Sequence, residues 1–413
     1  MTGQGSGGRA GQPVRVALLG SGGSIGRQTV DVLARHLDGF KVIALATGSQ
    51  RQILEEQVRL LRPLVVSIAD PRAARSLELP AGTEIVGGED ALESIVTRPD
   101  VDLVVVATGG LVALRSVLAA LEAGKVVATA NKETLVAGGH LVMPIVRRLA
   151  AGAAAATGDS HHPLAEPLGW LRPIDSEHSA IWQCLVGEDH AAIERLLLTA
   201  SGGPFLHATA ADIAAATPER ALRHPTWTMG AKITIDSATL ANKGLEIIEA
   251  RWLYDVPLSD IAVVVHPQSV VHSAVHFVDG SVKAQLGTPD MRLPIQYALT
   301  YPERLASPAA AVDLIAAGRL DFLAPDEGRF PALRIAREAG LAGPRASTAF
   351  ISADEVAVAR FLGGTLDFNG ISRLLEAAVE RFGTSASTDA SEPALDQLIS
   401  LDREVRQFSE AYR

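Results

Sequence analysis

The chemistry in this chain concentrates between His224 and Trp252, which reads His-Pro-Thr-Trp-Thr-Met-Gly-Ala-Lys-Ile-Thr-Ile-Asp-Ser-Ala-Thr-Leu-Ala-Asn-Lys-Gly-Leu-Glu-Ile-Ile-Glu-Ala-Arg-Trp. Taken as a helix at about 100° per residue, its second half gathers Asn242, Lys243, Glu246 and Glu249 on one side. Leu245, Ile248 and Trp252 gather on another. One face is apolar; the other offers an amide, an ammonium and two carboxylates. Ser237 and Thr239 come just before, hydroxyls placed to cap a helix or hold an anion. The plain alternative is a solvated face with an i, i+3 Lys–Glu pair. Against it stand the apolar neighbourhood and a second acidic group, Asp175-Ser176-Glu177, in a similar setting. Carboxylates drawn into a low-dielectric site need a cation, and a divalent metal would satisfy several at once.

In an extended segment, Asp175 and Glu177 point to the same side. Two carboxylates favour a hard cation such as Mg²⁺ or Mn²⁺ with oxygen ligands. Zinc is disfavoured, because no Cys/His ligands cluster. The adjacent His161 and His162 lack a partner at ligand spacing and read as a surface loop.

These groups need elements to position them. Residues 14–19 read as a buried strand that runs into a turn with Gly20, Gly23 and Gly26, then a helical pattern. Strand, glycine turn, helix is the context of a dinucleotide site, although the spacing is not G-x-G-x-x-G and a simple tight turn is the alternative. The next strand, 41–46, runs into Thr47-Gly48-Ser49-Gln50-Arg51 with no acid. Small polar groups and an arginine suit a ribose 2′-phosphate, so NADPH is expected over NADH. The runs 64–68, 103–107 and 126–129 look like parallel strands covered on both faces. The last ends in Ala130-Asn131-Lys132-Glu133. Ligands lie beyond the carboxyl ends of such strands, which places Asn131, Lys132 and Glu133 at a cofactor–substrate junction; a charged helix start is the other reading.

Residues 196–200 form a further strand ending in Ser201-Gly202-Gly203-Pro204-Phe205, either a phosphate-cradling turn or an ordinary strand end. Trp227, Met229 and Gly230 suit a lid that excludes water, or a loop packed on the core. A strand at 261–266 and a hairpin of 270–277 with 282–286 make this region α+β. From residue 331, four apolar-striped segments suggest a small helical bundle, with Asp354 and Glu355 on its surface and no chemistry attached.

The expected fold is therefore α/β: a Rossmann-like dinucleotide domain at 14–173, with an inserted loop at 151–173, an α+β catalytic domain at 174–290, a connecting segment at 291–330 and a helical bundle at 331–413. Residues 1–13 read as a disordered tail. A chain of 413 residues with 47% hydrophobic content supports cores of this size. The net charge of −10 argues against nucleic-acid and anionic-membrane surfaces. A single cysteine, Cys184, and no signal-like or spanning apolar run point to a cytoplasmic protein.

Eight motifs in fixed order resemble the 1-deoxy-D-xylulose 5-phosphate reductoisomerase family. They are the glycine turn 20–26, Ala130-Asn-Lys-Glu133, Asp175-Ser-Glu-His178, Thr199-Ala-Ser-Gly-Gly-Pro-Phe205, 224–236, 237–249, His266-Pro-Gln-Ser269 and Ala284-Gln-Leu-Gly-Thr-Pro-Asp-Met291. The resemblance implies an NADPH- and divalent-metal-dependent homodimer that isomerises and reduces 1-deoxy-D-xylulose 5-phosphate to 2-C-methyl-D-erythritol 4-phosphate. It implies that Asp175, Glu177 and Glu246 hold the metal and that Ser201, Ser237, Asn242 and Lys243 bind the substrate phosphate. Ser176, His224 and Lys132 would contact the sugar, with Trp227 and Met229 over it. Lys132, Glu177, His224 and Glu246 would serve the catalysis. Gly22, Gly23, Ser24, Ile25, Gly48, Ser49, Gln50, Asn131, Glu133 and Gly230 would line the cofactor. This chain departs from the family pattern at Gly22, where Thr is usual, and at Gln50, where Asn is usual. It also departs at Ile351-Ser-Ala-Asp-Glu355, where the family commonly has Asn-Ala-Ala-Asn-Glu. The competing readings are a metal-free NADPH dehydrogenase of the semialdehyde or homoserine type, and a non-catalytic sensor of NADP and a sugar phosphate.

Overall fold

The computed structural model describes residues 12–384 and 392–413, so most of the expected N-terminal tail lies outside the described residues. The chain divides into two compact units. The first takes the chain up to Thr134, then Val142–Ser179 and Asp290–Ala310; the second takes Leu135–Leu141, Ala180–Pro289 and Ala311–Arg413.

The first unit is built on a seven-stranded sheet: β1 (Val14–Leu19), β2 (Phe40–Thr47), β3 (Val65–Ile68), β4 (Glu84–Ile85), β5 (Leu103–Val106), β6 (Val126–Thr129) and β7 (Leu171–Pro173). The spatial order is β4-β3-β2-β1-β5-β6-β7, and every pairing is parallel. Unbroken apolar strands such as Leu103-Val-Val-Val106 are wholly buried, as parallel strands covered by helices on both faces must be. The strand order reverses between β1 and β5, so the crevice of the sheet opens at their carboxyl ends. The expected Rossmann-like unit is present.

Two expectations are corrected here. Residues 151–173 are not an inserted loop. The helix Lys132–Thr157 continues through the alanine run and stops at Gly158, which adopts φ 66°. Alanine is the strongest helix former, and glycine at that left-handed position ends the helix. The chain then supplies β7, which pairs with β6. Nor is 291–310 a mere connector. Its helix, Arg292–Thr300, returns to the first unit and puts Ile295, Ala298 and Leu299 in the same apolar cluster as Val16, Leu18 and Val32. The fully buried Arg172 ties this return down by donating to the Ala298 carbonyl at 2.9 Å.

The second unit holds a four-stranded sheet of β8 (Ile193–Ala200), β9 (Ile261–Val265), β10 (Val271–Phe277) and β11 (Val282–Leu286), ordered β11-β10-β8-β9. The expected hairpin is β10 with β11, turning at Gly280 with φ 84°. Two helices follow one another closely, Ala231–Thr239 and Ala241–Tyr254, with Leu240 between them at φ 61°. The four C-terminal helices are Ala332–Ala342, Pro344–Leu362, Phe368–Phe382 and Leu395–Ala411. They belong to the same compact unit as residues 180–289. Gly244 is one reason: a Cβ there would lie 2.3 Å from the Ala336 Cβ, so the Ala241–Tyr254 and Ala332–Ala342 helices meet almost backbone to backbone. Asp354, expected on the surface of the bundle, is fully buried and paired with Lys232 at 2.6 Å. Glu355 pairs with Arg406.

Candidate active site

In the first unit the glycine turn lies at the switch point. Gly20 has φ 81°, and a Cβ there would sit 2.5 Å from the Ala107 backbone at the end of β5. Gly26 lets the helix Ser24–Arg35 press on the Gly20 carbonyl, which a Cβ would approach to 2.2 Å. Gly23 caps that helix without a side-chain bond, and its first turn, with Ser24 and Ile25, presents backbone N–H groups with no acid nearby, as a pyrophosphate requires. Gln57 was not singled out from the sequence. Its side-chain nitrogen donates to the Ser21 carbonyl at 2.9 Å and holds the turn from behind. A buried glutamine on the apolar face of the Arg51–Leu61 helix was the available signal.

Gly48, Ser49 and Gln50 are exposed after β2. The two departures at Gly22 and Gln50 meet each other. A Cβ on Gly22 would lie 2.0 Å from Gln50 Oε1 and 2.6 Å from Thr47 Oγ1. The longer amide thus occupies the space that the missing side chain leaves.

At the end of β6, Asn131 caps the Lys132–Thr157 helix by accepting from Thr134 N at 2.7 Å. Its Nδ2 donates to the Thr108 and Gly110 carbonyls at 2.9 and 3.0 Å. The Asn131 side chain therefore spends its bonds on shaping the crevice. Glu133 follows in the first helical turn. Lys132 is nearly buried, and its ammonium pairs with Asp175.

Asp175 and Glu177 do not lie on an extended segment. The chain turns into the helix Ser176–Leu185 there, with Ser179 N donating to the Asp175 carbonyl at 2.8 Å. Asp-Ser-Glu is a helix start, where carboxylates are stabilised by the exposed N–H groups. The two side chains still converge: an oxygen of each lies within 4.8 Å of the other, and a ring nitrogen of the buried His178 also lies within 4.8 Å of an Asp175 oxygen. Ser176 donates to Glu177. His161 is exposed and His162 accepts from Leu164 N; neither joins a metal-ligating cluster among the described residues.

In the second unit, the turn after β8 brings Ser201 to His224. Ser201 Oγ lies 2.8 Å from His224 Nε2, and Ser237 Oγ lies 3.1 Å from the same nitrogen. His224 Nδ1 accepts from the backbone N–H groups of Thr226 and Trp227 at 3.1 and 2.9 Å. That fixes the proton of the neutral ring on Nε2, facing the two hydroxyls. Burial holds the His224 pKa below 6.5, which favours this neutral form. Two hydroxyls and an imidazole N–H converge as donors for an anion. The same bonds order the segment that carries Trp227 and Met229, both half-buried, up to the exposed Gly230.

Ser237 and Thr239 close the Ala231–Thr239 helix and do not precede the next one as free caps. Thr239 Oγ1 accepts from Ala241 N at 3.3 Å, while Ser237 is turned to His224. On the next helix, Asn242 and Lys243 donate to the two oxygens of Glu246. Lys243 is 3% exposed and Glu246 0%. The polar face of this helix is thus an interior charge cluster and not a solvated stripe. No helix among the described residues is long and apolar enough to cross a membrane.

Three family models cover most of the chain. The 1-deoxy-D-xylulose 5-phosphate reductoisomerase model matches residues 16–139, and the model of its C-terminal domain matches 171–254. The DXP reductoisomerase C-terminal domain matches 286–408. The 1-deoxy-D-xylulose 5-phosphate reductoisomerase of Pelotomaculum thermopropionicum is 48% identical, over 95% of this chain and 96% of that protein. The enzyme of the same name from Thermomicrobium roseum is 47% identical, over 95% of each. The solved structure of the Zymomonas mobilis enzyme in complex with NADPH matches with a TM-score of 0.84 at 38% identity, covering 97% of this chain and 99% of that one. A DOX-P reductoisomerase solved with NADPH, fosmidomycin and magnesium matches at 0.85 and 36% identity, covering 96% and 98%. With family models matched along most of its length and a 48% identical relative over 95% of it, the chain belongs to the 1-deoxy-D-xylulose 5-phosphate reductoisomerase family.

Proposed function

We propose that this chain converts 1-deoxy-D-xylulose 5-phosphate to 2-C-methyl-D-erythritol 4-phosphate with NADPH and Mg²⁺ or Mn²⁺. The observation that carries the reading is the pair Asp175 and Glu177, with an oxygen of each within 4.8 Å of the other beyond the carboxyl end of the sheet that holds the glycine turn. Two convergent carboxylates fit a hard divalent ion, and the glycine close approaches at Gly20 and Gly26 fit a pyrophosphate.

In this reading Asp175, Glu177 and Glu246 hold the ion. Ser201, Ser237, Asn242 and Lys243 bind the phosphate, and Ser176, His224 and Lys132 orient the sugar under Trp227 and Met229. Gly22 to Ile25, Gly48 to Gln50, Asn131, Glu133 and Gly230 line the cofactor. When bound, the ion supplies Lewis-acid polarisation of the keto-polyol and NADPH supplies the hydride. The protein's part is placement. Ser201 and Ser237 help anchor the phosphate end, with the Nε2–H of His224 beside them for the sugar. That holds a small substrate still while its skeleton is rebuilt. Lys132 sets its side-chain nitrogen beside Asp175, where anionic oxygen accumulates. A homodimer in the cytoplasm completes the reading on family grounds.

The test is NADPH oxidation with 1-deoxy-D-xylulose 5-phosphate, with and without Mg²⁺ or Mn²⁺, product being identified by mass and NMR. Absence of substrate-dependent oxidation in the metal-loaded protein sinks the proposal. Turnover untouched by EDTA favours the metal-free dehydrogenase.

A further inference from the structure

Lys232, Asp236 and Asp354 form a charge cluster that the reading above does not use. Lys232 Nζ lies 2.7 Å from Asp236 Oδ2 and 2.6 Å from Asp354 Oδ2. Asp236 is 2% exposed and Asp354 0%. Among the described residues Asp354 has its ion contact with Lys232 and no further hydrogen-bond partner, so that contact offsets the desolvation of the carboxylate.

The position of Lys232 is electrostatically unfavourable in itself. It lies in the first turn of the Ala231–Thr239 helix, where a cation opposes the helix dipole and Gly230 offers no side-chain cap. Two carboxylates reverse that balance. Asp236 is one turn along the same helix, so it shapes the ammonium's place locally. Asp354 belongs to the Pro344–Leu362 helix, so its contact ties one helix to the other. The tied helix begins directly after Trp227, Met229 and Gly230 and carries Ser237, 3.1 Å from His224 Nε2.

We propose that Asp354 is a positioning residue for sugar-phosphate binding: through Lys232 it fixes the first turn of the Ala231–Thr239 helix to the Pro344–Leu362 helix, and so sets where Ser237 and the segment 227–229 stand. The proposal rests on the reading that Ser237, Trp227 and Met229 serve the substrate.

The experiment compares Asp354→Leu and Asp354→Asn in the full chain loaded with Mg²⁺. It reads KM for 1-deoxy-D-xylulose 5-phosphate, the affinity for 2′,5′-ADP as a probe of the glycine-turn half of the cofactor site, and amide hydrogen exchange over 231–239. Leucine should raise KM by about tenfold or more with a smaller change in kcat. It should speed exchange over 231–239 and leave 2′,5′-ADP affinity within about twofold. Asparagine, whose carbonyl oxygen still faces Lys232, should restore KM to within about threefold of the parent. An unchanged KM in a folded leucine variant overturns the proposal. So does a loss of 2′,5′-ADP affinity in step with KM, which marks general loosening. Where the leucine variant does not fold, Lys232→Gln is held to the same outcomes. Ser237→Ala separates the two levels: an unchanged KM there sinks the substrate assignment, while exchange over 231–239 still reports on the anchor.

Discussion

Glu246→Gln is the perturbation that bears most directly on the proposed metal set. Glu246 is fully buried, with the Asn242 amide on one carboxylate oxygen and the Lys243 ammonium on the other. Glutamine keeps the shape and can still accept from Asn242. Its Nε2 turns donor hydrogens toward Lys243, so a buried ion pair loses its anion, at a cost of about 3–5 kcal/mol. Against a typical net stability of about 5–15 kcal/mol, the fold survives. The chemistry loses more. Removing one preorganised electrostatic group costs roughly 10²–10³ in kcat, about 2.7–4 kcal/mol. A neutral amide is also a weaker partner for a hard cation, so half-saturation by Mg²⁺ should rise at least ~10–100-fold, the cost of losing even a supporting group. The assay is NADPH absorbance across an Mg²⁺ titration, with circular dichroism and thermal unfolding as the check on folding. A folded variant with kcat/KM within about tenfold of the parent and the same Mg²⁺ dependence would refute the role given to Glu246.

Other outcomes follow from the same geometry. Lys243→Ala should raise KM for the sugar phosphate more than it lowers kcat; steady-state kinetics showing full activity at the parental KM remove Lys243 from the site. His224 has a folded pKa below its ordinary 6.5, so the unfolded chain takes up a proton first as pH falls. Its contribution to stability is level above 6.5 and is lost as pH drops from there toward the lower folded value. Protonation also ends Nδ1 acceptance from Thr226 and Trp227, so thermal unfolding and Trp227 fluorescence should both report acid loosening that His224→Gln lacks. Gly22→Thr should weaken NADPH binding by displacing Gln50, and adding Gln50→Asn should recover part of it, with a coupling of roughly 0.5–3 kcal/mol; strictly additive fluorescence titrations would show that the two positions are independent. Gly244→Ala drives a methyl into the Ala332–Ala342 helix, an overpacking cost of about 1–3 kcal/mol of which better helix propensity returns at most about 1. Calorimetry showing a raised melting temperature would contradict that packing.

The sequence by itself determined most of the elements and their kind, though not the helix through 151–157 or the helix start at 176. Continuous apolar runs such as 103–106 can be satisfied only in a parallel sheet buried on both faces, and the glycine turn after β1 marks where a phosphate can approach backbone. Local rules also reached the polar residues from 237 to 249, because spacing on one helix needs no knowledge of the rest of the chain. Tertiary structure decided what lies around them. Nothing local says that 290–310 returns to the first unit, that Gly244 admits another helix, or that Asp354 is sealed against Lys232. Burial of a charged residue depends on partners more than a hundred residues away, and a helix pattern with charges on it looks the same whether that face meets water or a neighbouring helix. Asp175 and Glu177 show the same limit on a smaller scale. The residue types pointed to a cation, while the backbone that brings the oxygens together is a helix start and not the strand that their i, i+2 spacing implied.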